Sequence, residues 1–463
     1  MTTVRPTEYL TIPLETWRAG RGTTATVERY RRRHLREHLA FVRRQSRFYR
    51  DRYADVPEGT TDLTAYPPVT KPELMDRFDD VVTDTALTVE DLDDFVADHD
   101  RIGEPYLGRY PVWTTSGTTG NPGIFVQDRR ALAVLSAVGG LRAIGPWLGR
   151  GGVGEYVRRG GRRALIAATD GHYAGVAGVE FARNLAPRLA GDRIRVFSVS
   201  QPLPDLVAAL NDYRPAMLVG YATVLRELAR ERRDGRLRVD PALVVPTAET
   251  LPSAGREELE TAFGRVRELY GATEFTACAF ECAVGNLHAN ADWVVLEPVD
   301  EDYEPVAPGE RSHTVLLTNL ANRVQPLVRY DLGDRLTAVP EDCPCGSPLP
   351  VVEVEGRTDD VLRLPGEAGD RVPVFPLGVG GAIEGTPGVE RFQLRQIEDA
   401  TLDLRIATSA GGDADAARER AEERLRSYLH EQGIGDVIVV HDDEPPQRDP
   451  DSGKFRQVWS EVG

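Results

Sequence analysis

The segment from Trp113 to Gly123 interleaves hydroxyl side chains with glycines, in the order Trp-Thr-Thr-Ser-Gly-Thr-Thr-Gly-Asn-Pro-Gly. Such a loop can turn several backbone amides toward one anion while its hydroxyl groups donate further hydrogen bonds. It lacks the Gly-Lys-Ser/Thr ending of a Walker loop, and the same composition also occurs in ordinary turns. As a phosphate-binding loop it would offer Thr115, Ser116, Gly117, Thr118, Thr119 and Gly120.

The cysteines offer a second kind of chemistry. Cys282 and His288 flank a five-residue spacer, and the Cys343-Pro-Cys345 pair begins 55 residues after the histidine. Three thiolates and one imidazole make the closed tetrahedral donor set of structural zinc sites. The alternative is a set of separate reduced thiols, and Cys278 is left over in either case. We expect Cys282, His288, Cys343 and Cys345 to bind one Zn²⁺.

Lysine occurs at only two positions, Lys71 and Lys454, among 56 basic residues. A coding bias toward arginine explains the other basic residues but not these two. Because a compact ammonium and a planar guanidinium differ at a chemical site, both lysines are candidates for roles that arginine cannot fill.

The elements that must position these residues are those of an α/β protein. Apolar, strand-like runs at 164–169, 194–199 and 216–221 alternate with helical stretches at 203–213, 223–233 and 254–263. This alternation predicts a large layered amino-terminal domain with mostly parallel sheets. Turn-rich, alternating segments after Trp293 predict an added β region, and the last hundred residues predict a small α+β unit.

Length and charge exclude several classes of protein. A chain of 463 residues is too long for one hydrophobic core. Its net charge of −17 argues against nucleic acid as a partner, and no secretory signal or membrane span is expected. With four cysteines a disulfide framework is not expected, so we predict a cytoplasmic protein, a monomer or a homodimer. The Gly-x-Gly-x-x-Gly match at 149–154 follows a helical stretch rather than a strand, so we do not expect a dinucleotide site there.

The loop at 113–123 resembles the signature loop of the ANL adenylate-forming enzymes, and four further motifs follow in the family's order. They are Tyr270-Gly-Ala-Thr-Glu274, Arg329-Tyr-Asp-Leu-Gly-Asp334, Gly356-Arg-Thr-Asp-Asp360 and Ser452-Gly-Lys454. Finer similarities, such as Pro68-Val-Thr-Lys-Pro-Glu-Leu, point to the phenylacetate–CoA ligase branch and its relatives in capsule and natural-product pathways. The resemblance covers nearly the whole chain.

This resemblance implies an ANL-type fold with two domains, 1–357 and 358–463, the second small and mobile about a hinge at Asp359. It implies catalytic roles for Lys454, Glu274 and Thr273, with Glu274 holding Mg²⁺. The residues it implies for ATP binding, besides the loop, are Ala248, Glu249, Tyr270, Gly271, Asp334 and Arg357. His172 and Tyr173 fall where the acyl pocket of the family begins, although a structural histidine is an equal interpretation.

The implied reaction joins a carboxylic acid, aromatic or arylacetic in this branch, to CoA at the expense of ATP. The acceptor is the open point, because the sequence departs from the branch at Asn121, Asp331 and 364–370. An amine or another nucleophile is the alternative acceptor, and a zinc-stiffened nucleotide-binding scaffold without activity is a third hypothesis. Retention of Lys454 and Glu274 argues against the scaffold.

Overall fold

The computed structural model describes residues 8–115, 123–185, 191–249, 251–355, 361–367, 370–383, 386–408, 414–442, 444–447 and 456–462. The α-helices in these ranges are α1 (Glu8–Arg21), α2 (Thr24–Gln45), α3 (Arg47–Arg52), α4 (Lys71–Asp76), α5 (Phe78–Val81), α6 (Val89–Ala97), α7 (Arg129–Val138), α8 (Gly145–Arg158), α9 (Ala174–Leu185), α10 (Leu203–Tyr213), α11 (Ala222–Arg233), α12 (Ser253–Phe263), α13 (Pro376–Ile383) and α14 (Ala414–Glu431). A π-helical segment, Gly139–Ile144, joins α7 to α8, and short 3₁₀ turns lie at Leu63–Ala65, His99–Arg101 and Gly191–Arg193.

The strands are β1 (Val112–Thr114), β2 (Ile124–Val126), β3 (Arg163–Ala167), β4 (Ile194–Ser198), β5 (Met217–Tyr221), β6 (Leu243–Thr247), β7 (Leu269–Ala272), β8 (Phe275–Glu281), β9 (Leu287–Ala289), β10 (Val294–Val299), β11 (Thr314–Asn319), β12 (Tyr330–Asp331), β13 (Arg335–Val339), β14 (Val351–Glu355), β15 (Leu362–Pro365), β16 (Arg371–Val374), β17 (Val389–Glu398), β18 (Thr401–Thr408), β19 (Ile438–His441) and β20 (Val458–Ser460).

A parallel sheet of order β4-β3-β5-β6 forms the centre of one layer. Helices α9, α10 and α11 connect its successive strands, which is the alternation that the sequence predicts. Leu206 and Leu210 of α10 and Leu225 of α11 are buried in the same hydrophobic cluster as Ile166 of β3. The α/β class is therefore confirmed. Among the described strands before residue 356, the parallel ladders all lie in this sheet, while isolated parallel bridges also join Val69 to Tyr330 and Thr114 to Tyr173.

The β region predicted after Trp293 is present and antiparallel. One sheet has the order β13-β14-β9-β8-β7, another the order β10-β11-β12, and β1 pairs with β2 alone. Trp293 is fully buried beside these strands, in the hydrophobic cluster that also contains Tyr49 and Tyr330. Helices α2 and α3 are separate, because Ser46 ends α2 and its hydroxyl accepts a hydrogen bond from the Tyr49 amide as the cap of α3.

The carboxy-terminal segment has a hydrophobic cluster of its own. The sheet β19-β18-β17-β20, the hairpin β15-β16 and helices α13 and α14 surround Leu394, Leu404 and Leu425. We call this part, from residue 361 onward, the carboxy-terminal unit. Its predicted mobility and the boundary at 357/358 stay predictions, because residues 356–360 lie outside the described ranges.

One long apolar helical stretch of the described residues runs from Arg129 to Gly149. By length and composition it could cross a membrane, and 44% of its most apolar window is buried inside the fold. Arg142 in this stretch is itself buried and pairs with the buried carboxylate of Asp292 at 2.7 Å. The segment containing Gly149 and Gly154 is the kinked helix α8, a context unlike that of a dinucleotide loop.

Candidate active site

The β7–β8 hairpin carries the Tyr-Gly-Ala-Thr-Glu motif at its tip. Strand β7 ends at Ala272 and β8 begins at Phe275, so Thr273 and Glu274 are the two turn residues. Gly271 lies at an irregularity of the ladder, and a Cβ there would meet the Thr276 backbone oxygen at 2.2 Å. Only glycine fits this close approach of two chains, which explains its place in the motif.

Glu274 is a buried carboxylate in a charged neighbourhood. Its side chain is 6% exposed, and the Tyr330 hydroxyl hydrogen-bonds to it. Burial raises the pKa of Glu274 above its ordinary value, with Asp334 acting in the same direction, whereas Tyr330 and Lys71 oppose the rise. A buried carboxylate held beside a second one suits a cation, because the cation would relieve both desolvation and repulsion.

The second motif meets the first at this point. Asp334 precedes β13, and the Tyr270 hydroxyl donates a hydrogen bond of 2.8 Å to its Oδ2. Burial raises the pKa of Tyr270 well above its usual range, and the Asp334 carboxylate adds to the effect, so the phenol stays protonated and keeps donating. Residues from two distant motifs thus form one constellation.

Lys71 is brought to the same place by backbone pairing. The Val69 amide donates to Arg329 O, and the Asp331 amide donates to Val69 O, and both hydrogen bonds are 2.9 Å long. These two bonds form a bridge between Val69, which lies just before α4, and Tyr330. Lys71 opens α4 and interacts electrostatically with Glu274. Its Cδ would lie 3.2 Å from a Cβ added at Gly123. The ammonium group therefore belongs to this site. The sequence marks Lys71 as one of only two lysines, but it does not indicate that Lys71 lies beside Glu274.

The base of the loop at 113–123 is closed by hydrogen bonds. The Thr115 amide donates to Gly123 O at 3.0 Å, and the Gly123 amide donates to Thr115 Oγ1 at 2.8 Å. Thr115 follows β1, so the loop begins and ends beside Lys71. The predicted ligands Ser116, Gly117, Thr118, Thr119 and Gly120 lie outside the described residues, as do Arg357, Asp359 and Lys454.

Two contributors were not singled out from the sequence. Tyr330 lies within a recognised motif and faces Glu274, so its position in that motif was an available signal. Asn319 ends β11 and its Nδ2 donates to the Glu274 backbone oxygen at 2.9 Å, which fixes the hairpin tip. Nothing in the local sequence of Asn319 indicates this contact, because its partner is distant along the chain.

The other predicted residues lie at the carboxyl edge of the parallel sheet. Ala248 has a φ of +64°, an unfavourable backbone conformation for a residue with a Cβ, directly after β6. Glu249 accepts hydrogen bonds from the Thr223 amide (2.8 Å) and hydroxyl (3.0 Å), which caps α11. The predicted nucleotide role of Ala248 and Glu249 stays a prediction, with Glu249 already engaged in this cap.

His172 and Tyr173 differ in exposure. The His172 imidazole is 1% exposed, its Nε2 lies 3.2 Å from the Asp98 backbone oxygen, and its ring packs on Phe95. Burial lowers the pKa of His172, so the ring is neutral. These contacts favour a structural role for His172. Tyr173 is half-buried, and it pairs with Thr114 at the entrance of the loop.

The predicted cysteine–histidine cluster is assembled in the structure. One ligand atom from each of Cys282, His288, Cys343 and Cys345 lies within 4.8 Å of all the others. The Cys282 and Cys343 sulfurs are 3.8 Å apart, and Cys345 Sγ lies 3.3 Å from His288 Nε2. Four ligands about 2.1–2.3 Å from a central ion would show edges of roughly this length, so the set fits a tetrahedral metal.

The surroundings of the cluster also suit a metal. His288 Nδ1 lies 2.7 Å from Leu349 O, which directs Nε2 toward the cysteines. Asn286 donates to the Cys343 sulfur. Burial alone would raise the pKa of Cys343, but hydrogen bonds from Cys345 and Asn286 bring it down to about 6. Cys278 lies elsewhere, with its thiol donating to Phe275 O.

Known proteins were compared with this chain by sequence and by structure. No protein-family model matches this chain. Protein CapK of Staphylococcus aureus is 26% identical over 163 residues, which is 34% of this chain and 34% of CapK. The chain thus matches about a third of the length of that curated relative.

Solved structures of 2-hydroxyisobutyryl-CoA ligase match over almost the whole chain. The ligase with 2-HIB-AMP and CoA in its thioesterification state gives a TM-score of 0.61 at 19% identity, over 96% of this chain and 92% of the other. Its postadenylation state gives 0.56 at 20% identity over 96% and 92%, and an open conformation gives 0.54 at 18% over 95% and 93%. The fold of this chain is therefore that of the ANL adenylate-forming superfamily, whose motifs its sequence resembles.

Proposed function

We propose that this chain is an AMP-forming acid–CoA ligase. The observation that carries the proposal is the meeting of Tyr270, Glu274 and Asp334, residues of two ANL motifs, beside the base of the hydroxyl-rich loop in an ANL fold. A merely structural role would not account for a buried glutamate that lies beside a second carboxylate and a lysine.

In the proposed first half-reaction, an oxygen of the substrate carboxylate attacks the α-phosphorus of ATP. The bond from that phosphorus to the bridging oxygen breaks, and pyrophosphate leaves with the electron pair. No proton must move, so the chain's task is to orient the two reactants and to balance negative charge. The products are an acyl-adenylate and pyrophosphate.

Each role follows from the chemistry of the side chain. The loop residues Thr115, Ser116, Gly117, Thr118, Thr119 and Gly120 would hold the phosphates, Asp334 would accept hydrogen bonds from the ribose hydroxyls, and Lys454 would neutralise charge between carboxylate and phosphate. Thr273 would contact the α-phosphate. Ala248, Glu249, Tyr270 and Gly271 would line the nucleotide, with Arg357 toward the phosphates.

The residues present fit a magnesium ion. Glu274 offers a hard carboxylate oxygen in a buried position, and its raised pKa shows that a proton or a cation is favoured there. Mg²⁺ would supply Lewis-acid stabilisation of the phosphate oxygens. Glu274 would be its protein ligand.

In the proposed second half-reaction, the thiol of CoA attacks the acyl carbon, the carbon–oxygen bond to AMP breaks, and the thiol proton is lost to solvent. The TM-score is higher to the thioesterification state (0.61) than to the postadenylation (0.56) and open (0.54) states, which supports assigning the present arrangement to this step.

The acyl group would be aromatic or arylacetic. Tyr173 would line its pocket, and His172 would lie behind Tyr173.

We further propose that Cys282, His288, Cys343 and Cys345 hold a structural Zn²⁺, which the spacing of their ligand atoms supports. Cys282 directly follows β8, and His288 lies on β9, so the ion would clamp the base of the hairpin whose tip bears Glu274. We also propose two domains, 1–357 and 358–463, with a hinge at Asp359. We propose a cytoplasmic location for the protein.

The test is ATP–pyrophosphate exchange with phenylacetate, benzoate and 2-hydroxyisobutyrate, followed by AMP release and product mass with CoA or with an amine in its place. Exchange plus an acyl-CoA product supports the proposal. Exchange with transfer to the amine alone would replace CoA by the alternative acceptor. Nucleotide binding without exchange for any acid would leave the scaffold hypothesis.

A further inference from the structure

The carboxy-terminal unit contacts the parallel-sheet layer through a charged pair. Arg363 of β15 donates through its Nη2 to Glu227 Oε1 of α11. The neighbours of Arg363, Leu362 and Leu364, belong to the hydrophobic cluster of the carboxy-terminal unit. Helix α11 belongs to the cluster of the parallel sheet. The pair therefore joins two separately packed parts of the chain.

Glu227 is unusual for a surface pair because it is buried. Its side chain is 6% exposed, whereas that of Arg363 is 42% exposed. Arg230, three residues along α11, is its other cationic partner. A buried carboxylate that loses one of two partners is left with less compensation for desolvation, so this contact contributes more than an exposed ion pair.

Arg363 is fixed to the carboxy-terminal unit by hydrogen bonds of its backbone. Its amide donates to Gln396 Oε1 at 3.1 Å, and Gln396 Nε2 donates back to Arg363 O at 3.0 Å. Gln396 lies on β17, inside the unit and 1% exposed. A rotation of the unit would therefore withdraw the guanidinium from Glu227.

Neutral contacts flank the pair at the same junction. Gln432 donates through Nε2 to Ser200 O, and Phe375 inserts into the cluster of the parallel sheet. Helix α13 approaches so closely that a Cβ at Gly381 would meet Asp170 Oδ2 at 2.6 Å. Ser200 and Asp170 both follow strands of the parallel sheet, so the unit lies over the carboxyl edge of that sheet.

We propose that Glu227 and Arg363 form a latch that holds the carboxy-terminal unit in the arrangement for acyl transfer. Arg363 is then a positioning residue for the second half-reaction, although it contacts no substrate. The assignment of this arrangement to acyl transfer rests on the proposed function. Its structural content, a preference of the free protein for one arrangement, can be measured without any activity.

The test compares Arg363→Gln with a matched control, Arg426→Gln. Arg426 is similarly exposed (46%) and pairs with Glu422 inside the carboxy-terminal unit, so its loss leaves the junction intact. Fluorophores attached through clickable amino acids at 32, 301 and 415 report on the arrangement, since Arg32, Glu301 and Asp415 are 73%, 85% and 91% exposed. Single-molecule energy transfer is recorded for the 32–415 and 301–415 pairs.

For Arg363→Gln we expect a shifted distribution in at least one label pair and acyl transfer slowed roughly 5- to 20-fold, with pyrophosphate exchange unchanged or faster. Glu227→Gln should shift the distribution in the same direction. Acyl transfer by the double variant should be no slower than by the slower single variant. Arg363→Lys should restore most of the transfer rate. The control should match the wild type.

Wild-type distributions for both Arg363→Gln and Glu227→Gln would overturn the latch. An equal loss in the two half-reactions would also overturn it, because a general defect does not distinguish arrangements. If no acid supports exchange in the wild type, the proposed function fails while the fluorescence result still decides whether the latch exists.

Discussion

The Tyr270 hydroxyl lies 2.8 Å from Asp334 Oδ2 and donates a hydrogen bond to it. The bond crosses from the β7–β8 hairpin to the segment before β13, two parts of one antiparallel sheet. The bond occupies Oδ2 and holds the carboxylate in one orientation. One phenol thus orients the carboxylate to which we assign the ribose.

Tyr270→Phe should therefore weaken ATP binding more than it slows chemistry. Without the phenol, Asp334 loses a hydrogen bond that helps to fix its rotamer, so we expect KM for ATP to rise about 5- to 10-fold with a smaller change in kcat. Steady-state exchange kinetics measure both constants.

The matched control is Tyr303→Phe, which removes a similar bond of 3.0 Å to Asp331, a residue to which we assign no ligand. Equal effects of the two variants on KM would contradict the role of Asp334.

Glu274→Gln should abolish activity and stabilise the protein. Burial raises the pKa of Glu274, so the folded state binds this proton more tightly than the unfolded chain, whose value is near 4.5. Wild-type stability contributed by this group is therefore lost as pH rises from about 4.5 through the folded pKa. The neutral amide avoids that loss, while removal of the proposed Mg²⁺ ligand should slow exchange about 100-fold or more.

Thermal melts of wild type and Glu274→Gln at several pH values, without Mg²⁺ or ATP, measure the stability part. The gain in Tm should grow as the pH rises above about 4.5 and should level once the pH exceeds the raised pKa of Glu274 in the folded protein. If the variant is less stable than the wild type at pH 8, contacts within the fold already offset the desolvation cost of the Glu274 carboxylate, and the prediction is wrong.

Cys343→Ser should remove bound metal and lower stability. The wild type should carry about one zinc per chain by elemental analysis, and the variant little, because the affinity of a structural metal is part of the folding free energy. We expect Tm to fall by about 5 °C or more. Cys278→Ser is the control, since Cys278 lies outside the cluster and a hydroxyl can keep its bond to Phe275 O. If purified wild-type protein carries no metal and is nevertheless stably folded, the proposed zinc site is wrong.

Lys454→Ala should eliminate pyrophosphate exchange but spare thiolysis of a supplied acyl-adenylate. The proposed ammonium contact acts only while the carboxylate attacks phosphorus, so the second step does not need it. Lys454→Arg should fail as well, because a planar guanidinium does not replace a compact charge. Normal exchange in either variant would remove Lys454 from the first half-reaction.

Elements with strong local patterns were predictable. Helix α10 runs from Leu203 to Tyr213 as its periodicity indicates, and α11 begins one residue before the stretch predicted at 223–233 and ends with it. Strands β3, β4 and β5 begin within two residues of the apolar runs. The boundary between α2 and α3 is less apparent from the pattern, because a side-chain cap at Ser46 decides it rather than the hydrophobic period.

Local sequence indicated which residues could carry chemistry. The hydroxyl-rich loop and the cysteine–histidine set are recognisable from residue types and spacing, and Glu274 and Asp334 from the resemblance of their segments to ANL motifs. Only the tertiary structure decided which of them meet. Lys71 reaches Glu274 because Val69 pairs with the strand of Tyr330, and Arg363 reaches Glu227 because two separately packed clusters adjoin. Such contacts depend on strand pairing and on burial across long stretches of chain, and hydrophobic periodicity carries no information about either.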